Sequence, residues 1–312
     1  MSGVGAMRAS VNCVPGGQRG AAIVMAMLVV AVTAALVAGV FWRQNVALRQ
    51  VENDLAYAQA RTLIAGAIDW AGVILREDAR STGVDHLGEP WAVPLAETAL
   101  NSEDSVETAY VSGQIRDAQG MFNLRNLVGQ DGTIDAGEVQ AFRRLLGILG
   151  VDESVADAVA QRVLASLPGR DGRAATAIGL MSCDDLRGIA GLVREDVERM
   201  RGFVTSLPEP TAVNANTAPA EVLAARIRNL TLGDARQLVA SRGRAFFKDR
   251  ADVLNRVPRA GLDATDREIS VVTRYFLVDG AVGYRRARLR SEVLVRREGA
   301  SRVHVLWSRD SA

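Results

Sequence analysis

Asp131, Asp135 and Glu138 are spaced as ligands of a divalent cation would be. They fall in Asp131-Gly-Thr-Ile-Asp-Ala-Gly-Glu138, which matches the latter half of an EF-hand loop. The glycine, the hydrophobic Ile134 and a closing Glu138 are all in place. Calcium takes six or more oxygens, and the first two ligand positions would fall on Leu127 and Gly129, which have no side-chain oxygen. The same residues read as a turn followed by a helix with Asp135 as its cap and Glu138 completing a capping box. The missing ligands favour the turn. Calcium at these acids is the sole cofactor candidate, and otherwise none is expected.

Catalytic chemistry finds even less support. His86 and His304 are the only histidines, one in a turn and one on a strand. The chain has no G-x-S-x-G, no H-E-x-x-H, no phosphate loop ending in Gly-Lys and no Cys-x-x-Cys. We expect no enzyme. Cys13 and Cys183 are far apart, and loss of the N-terminal leader would leave Cys183 alone, as a small buried hydrophobe. Net charge is +1, so no global field draws the chain to nucleic acid or anionic lipid. Lys248 is the one lysine among 37 basic residues, a bias that fits a GC-rich genome better than phosphate binding.

The element that organises the chain lies at its N-terminus. A short leader ending in Gln18-Arg19-Gly20 runs into Ala21–Trp42, which carries no charge and one hydroxyl, Thr33. As a helix this stretch reaches roughly 33 Å, enough to cross a bilayer core. Three readings fit: a secretory signal cut near Ala35–Ala38, an uncut signal anchor, or a prepilin-type signal cut after Gly20. Arginines flank both ends (Arg19, Arg43, Arg49), so charge counting leaves orientation open. Beyond the apolar stretch the helical pattern continues. Val46, Leu48, Val51, Leu55, Leu63, Ile64, Ile68, Val73 and Leu75 recur at helical spacing, and no proline intervenes between Pro15 and Pro90. Its second half should pack on its own domain.

Residues 107–115 read as a strand. Helices are expected over 136–149, 153–166, 183–189, 194–205, 218–227, 232–242 and 250–255, with Asp135, Asp152, Ser182, Thr217 and Thr231 as caps. The period then switches. Strands are expected over 269–278, 284–295 and 302–307, turning at Asp279-Gly280 and Glu298-Gly299, with Val303, Val305 and Trp307 alternating against Arg302, His304 and Leu306. Within the helical block, Val213-Asn-Ala-Asn-Thr-Ala-Pro-Ala-Glu-Val-Leu223, with Arg242, Phe246-Phe247 and Asp252-Val-Leu254, resembles helix-hairpin-helix modules of DNA-binding proteins. Its hairpin carries a single glycine, Gly233, and puts Asp234 where phosphate would sit, which argues against DNA.

Four features in order, Gly20 before the apolar helix, Gly120-Met-Phe-Asn-Leu-Arg-Asn-Leu127, Val213-Asn-Ala-Asn-Thr-Ala218 and three closing strands, resemble the minor pseudopilin K family of bacterial type II secretion systems. The resemblance covers nearly the whole chain. It implies an α+β fold: a long transmembrane and amphipathic helix, a pilin-like domain with an antiparallel sheet, and a large all-α insertion of two SAM-like, helix-hairpin-helix-like lobes. The implied divisions are a leader over 1–20, a transmembrane helix over 21–42 and its amphipathic continuation over 43–82. The pilin-like domain would take 83–120 and 266–312, around an insertion over 121–265 with lobes at about 121–207 and 211–265.

The resemblance further implies that prepilin peptidase cuts after Gly20 and methylates Ala21. Most pilins place a glutamate fifth in the mature chain, and here that position is Met25, as expected of a subunit at the filament tip. Expected partners are other minor pseudopilins, contacted through the N-terminal helix and pilin-like domain, the peptidase, the inner membrane and exported protein, with no nucleic acid. The implied location is the inner membrane, with a single pass and a periplasmic C-terminal domain. Relatives often carry an acidic Asp-Trp-x-Asp-type segment, but residues 159–168 here have neither acid nor tryptophan, so the family's calcium binding is not carried over. A minor pilin of a type IV pilus and a membrane-tethered helix-hairpin-helix DNA-binding protein are the alternatives. Intact mass spectrometry of the mature chain should show methylated Ala21, and an uncut leader would contradict the prepilin reading.

Overall fold

The computed structural model describes residues 19–100, 108–169, 174–257 and 261–311. The leader up to residue 18, with Cys13, and Glu107 at the start of the expected first strand lie outside the described residues. The chain divides into two compact units, residues 1–56 and 57–312. Helix α1, Arg19–Ser81, has 63 residues and contributes to both. In the first unit its side chains are nearly all exposed, with Ile23, Val24, Leu28, Val30 and Phe41 among the large apolar ones. Thr33, the hydroxyl within the apolar stretch, donates back to the Val29 carbonyl at 2.8 Å and so brings no unsatisfied polar group.

The second unit begins with the end of α1. Strands β1 (Leu95–Leu100) and β2 (Ala109–Asp117) follow, then the short β3 (Phe122–Asn123). Helices α2 (Ala136–Leu149), α3 (Val155–Ala165) and α4 (Arg194–Met200) lead to β4 (Val204–Thr205) and β5 (Val213–Asn214). Next come α5 (Ala220–Arg226), α6 (Leu232–Arg242), α7 (Arg250–Asn255) and β6 (Ile269–Ser270). Strands β7 (Tyr275–Tyr284), β8 (Ala287–Glu298) and β9 (Arg302–Ser311) close the chain. The main sheet has the order β1-β2-β7-β8-β9 and is antiparallel throughout. Because β2 and β7 are hydrogen-bonded neighbours, the whole helical segment leaves and re-enters the sheet between adjacent strands. Two parallel two-stranded ladders, β3–β4 and β5–β6, tie that segment together.

Alternation assigns the two faces of the sheet. Phe276, Val278 and Val282 of β7 and Leu289, Val293 and Val295 of β8 meet Ala60, Ile64, Ala71 and Leu75 of α1. Tyr275, Leu277 and Leu294 point the other way, against Ala118, Met121 and Leu207. A single apolar cluster from Phe122 to Ile269 fills the helical segment, with Phe142, Leu145, Val159, Leu223 and Phe247 at its centre.

Several expectations change. Asp279-Gly280 is not a turn but the middle of β7, and the hairpin turns at Arg285-Arg286, where Arg285 takes φ 53°. The glycine leaves room for the helix, since a Cβ on Gly280 would lie 2.9 Å from Ile64 Cδ1 and that side chain would have to shift. Asp279 is occupied by Arg116 of β2, whose Nε donates at 2.7 Å. A bulge at Leu294/Val295 moves Trp307 to the face opposite Val303, so the expected alternation fails at Leu306. Residues 183–186 form a 3-10 turn, and α4 stops at Met200 because Gly202 takes φ 84°. We expect Gly280→Val to lower the unfolding free energy by about 1–3 kcal/mol through overpacking against Ile64, read as a lower denaturant midpoint at constant slope.

Candidate functional site

Gly20, Ala21 and Met25 all lie on α1, and Met25 is 64% exposed. No described group pairs with the helix there, and the first turn holds no acid. These positions present an apolar helical surface.

The polar chemistry is concentrated where the helical segment joins the sheet. Asp117 ends β2, and its buried carboxylate accepts from the Gln119 amide (2.7 Å), Asn214 Nδ2 (2.8 Å) and the Thr217 hydroxyl (2.7 Å). Gly120 permits this approach, since a Cβ there would come within 2.8 Å of Thr217 Oγ1. Thr217 is thus not the expected cap, because α5 starts after Pro219, whose fixed φ suits a helix start. The asparagines of both sequence motifs act as clasps. Asn126 Nδ2 donates to the Thr211 carbonyl at 2.8 Å while its Oδ1 accepts from the Thr211 amide at 2.9 Å. Asn216 grips Phe247 in the same way, at 2.9 and 2.7 Å. Each amide imitates a strand neighbour and satisfies backbone that has no ladder partner.

The returning chain is held by Arg297 of β8. Its guanidinium donates to Asp78 at the end of α1 at 2.7 Å, to Asp85, and to the Thr273 carbonyl at 3.0 Å. Asp85 also accepts from the Thr273 amide at 2.7 Å. Asp78, Asp85 and Glu89 are the acids that converge within ligand distance among the described residues. Arg297 supplies positive charge to two of them. Glu89 is taken up by the Thr82 hydroxyl (2.6 Å), the His86 amide (2.9 Å) and Trp91 Nε1 (2.8 Å). Burial, with the nearby Glu89 charge adding to it, pushes Asp78 up to about 6. Burial likewise pushes Asp117 up to about 6, against the pull of its hydrogen bonds. Nothing in the sequence marks Arg297 as a hub, because it lies 219 and 212 positions from Asp78 and Asp85.

The acids with EF-hand spacing do not converge. Asp131 accepts from the Thr133 amide and hydroxyl, and Asp135 caps α2 through the Gly137 and Glu138 amides at 2.9 and 3.1 Å. Glu138 does not complete the capping box. It turns instead to the buried Arg226 of α5, which also donates to the Glu268 and Arg267 carbonyls. Asp234 lies at the α6 N-terminus and closes a capping box with Thr231, which puts a carboxylate where a phosphate would approach. Cys183 is buried, and burial drives its thiol up to about 11, so it is an inert hydrophobe.

The sequence profile described as type II secretion system protein K matches residues 213–272, and a second profile of the same description matches residues 120–209. These ranges contain the two asparagine motifs. The type II secretion system protein K of Pseudomonas aeruginosa is 33% identical over 314 residues, covering 92% of this chain and 92% of its own length. That of Pectobacterium carotovorum is 27% identical, covering 84% of this chain and 87% of its own. A chain in the crystal structure of the GspK-GspI-GspJ complex from enterotoxigenic Escherichia coli superposes with a TM-score of 0.68 at 22% identity, over 84% of this chain and 99% of that one. At that identity the likeness speaks for the fold.

Two outcomes follow from this geometry. Asp78 has a raised folded pKa, so the stability it contributes is present below about pH 4 and lost as pH rises through about 6. The unfolding free energy of the wild type minus that of Asp78→Asn should therefore fall between about pH 4 and 7, and a rise would contradict the assignment. Calcium should leave the melting temperature unchanged, because Glu138 would have to abandon a buried arginine. A saturable increase would show that the acids regroup.

Proposed function

The chain belongs to the protein K family of type II secretion systems, and on that premise we propose that it stands at the pseudopilus tip, where it starts assembly and closes the end. It is a minor pseudopilin of type II secretion. Its one described helix long and apolar enough to cross a membrane fits a single-pass inner-membrane anchor. In our reading the C-terminal unit lies in the periplasm.

Met25 carries the tip assignment. With cleavage after Gly20, it takes the place where most pilins have a glutamate paired with a neighbour's terminal amine. An unpaired carboxylate in hydrocarbon is expensive, so a subunit with no neighbour above it gains by carrying an apolar side chain there. The helical segment, inserted between β2 and β7, supplies the bulk that would stop another subunit adding above. We infer that it consists of two SAM-like lobes sharing one core.

The crystallised GspK is found with GspI and GspJ, which supports other minor pseudopilins as partners of this chain. Exposed apolar residues of α1 and the pilin-like sheet domain would provide the contacts. Prepilin peptidase would process the leader, and exported protein would meet the tip. The role is structural rather than catalytic. Gly20→Val should leave the full-length protein uncut and abolish secretion, as read by immunoblot and by the amount of exported protein outside the cell. Normal secretion with unprocessed chain would refute the assignment.

A further inference from the structure

Between the turn at His86 and the end of α6 lies a cleft of about 420 Å³. Its charged walls are all of one sign. Arg242 and Arg244 line it together with His86, and no carboxylate does so among the described residues. His86 and Phe246 stack across it, with ring centroids 4.2 Å apart and planes 9° from parallel. Glu89 stands 3.9 Å from His86 Nε2, but it is buried and already accepts three hydrogen bonds.

Arg242 is the informative residue. Its Nη1 donates to the Ala215 and Ala218 carbonyls at 2.7 and 2.5 Å, and Nη2 reaches the Thr217 carbonyl at 3.4 Å. These are loop carbonyls just before α5, so the side chain has a structural duty. Nε makes no hydrogen bond among the described residues, and Nη2 has a second hydrogen to give. No described acid forms an ion pair with Arg242 or Arg244, and Arg244 is exposed. Desolvation without a counter-charge pulls Arg242 down to about 10. A guanidinium whose Nε–Nη2 edge is unused matches two oxygens of one acid group, and burial makes such a pairing stronger than at an open surface.

We propose that this cleft binds an oxyanion, a carboxylate or phosphate held by Arg242 and Arg244, with the remainder of the ligand against the His86–Phe246 stack. The ligand group could be a free anion or an acidic side chain of a protein in contact with the tip. The site lies in the module that resembles helix-hairpin-helix proteins, but away from its hairpin, where Asp234 sits.

The test uses the full chain in detergent micelles at constant ionic strength, with sodium chloride as the reference. It is titrated with inorganic phosphate and, separately, with a tetraglutamate peptide, following the thermal midpoint and the His86 imidazole NMR signals. At least one probe should give a saturable response. Arg244→Gln should weaken it about tenfold, whereas Arg236→Gln, at an exposed position on α6, should leave it unchanged. Arg242→Gln should abolish the response if it folds, and the Arg244 variant decides the matter if it does not. A response to phosphate alone identifies a small-anion site, and one to the peptide alone identifies an acidic protein segment. No saturable response to either probe, or equal loss in the Arg236 variant, would overturn the proposal.

Discussion

The chain leaves its sheet at Asp117 and returns at Thr273, and the strands on either side of that excursion are hydrogen-bonded neighbours. Both crossings must therefore occupy one small, dry region. Backbone groups there have no ladder partners, and leaving them unsatisfied would cost several kcal/mol. Side chains supply what the ladders cannot. Asp117 collects donors from Gln119 of the outgoing chain and from Asn214 and Thr217 deep within the excursion, while Asp85 and Arg297 hold the Thr273 amide and carbonyl of the returning one. Asn214 joins the two sets by donating to both Asp117 and the Asp85 carbonyl.

That dry region also explains the raised carboxyl values of Asp78 and Asp117. In both, burial is the main cause of the rise. Asp78 shares one guanidinium with Asp85, and Asp117 is charged in a place chosen for its hydrogen-bond geometry. Strongly shifted acids are often taken as a mark of active sites. Here they reflect the topology of an insertion.

Long helix α1 serves two environments with one backbone. Its first unit presents Ile23, Leu28, Val30 and Phe41 outward, as suits a bilayer or neighbouring helices. In the second unit a buried stripe of Ala60, Ile64, Ala71 and Leu75 presses onto β7 and β8, while Trp70 and Val73 stay exposed. Small residues in that stripe and Gly280 opposite it bring helix and sheet close. This change of face was legible in the sequence, since hydrophobic spacing reports directly on which sides of a helix are wet.

Local rules gave several elements to the residue. The bounds of α2, α6 and α7, the caps at Asp135 and Thr231, and the turn at Gly299 all follow from neighbours a few positions away. The two asparagine motifs were visible as motifs, but their work as clasps on Thr211 and Phe247 was not. Misplacing the turn at Asp279-Gly280 has the same origin: a sequence that favours a turn was overruled by Ile64 packing on the glycine and Arg116 pairing with the aspartate. By itself the sequence determined the apolar helix, the change from a helical block to closing strands and the family, because periodicity and short motifs are local; it did not show β1. Only the tertiary structure decided that Glu138 serves Arg226 and that Arg297 binds two distant acids, since burial and pairing depend on which segments meet.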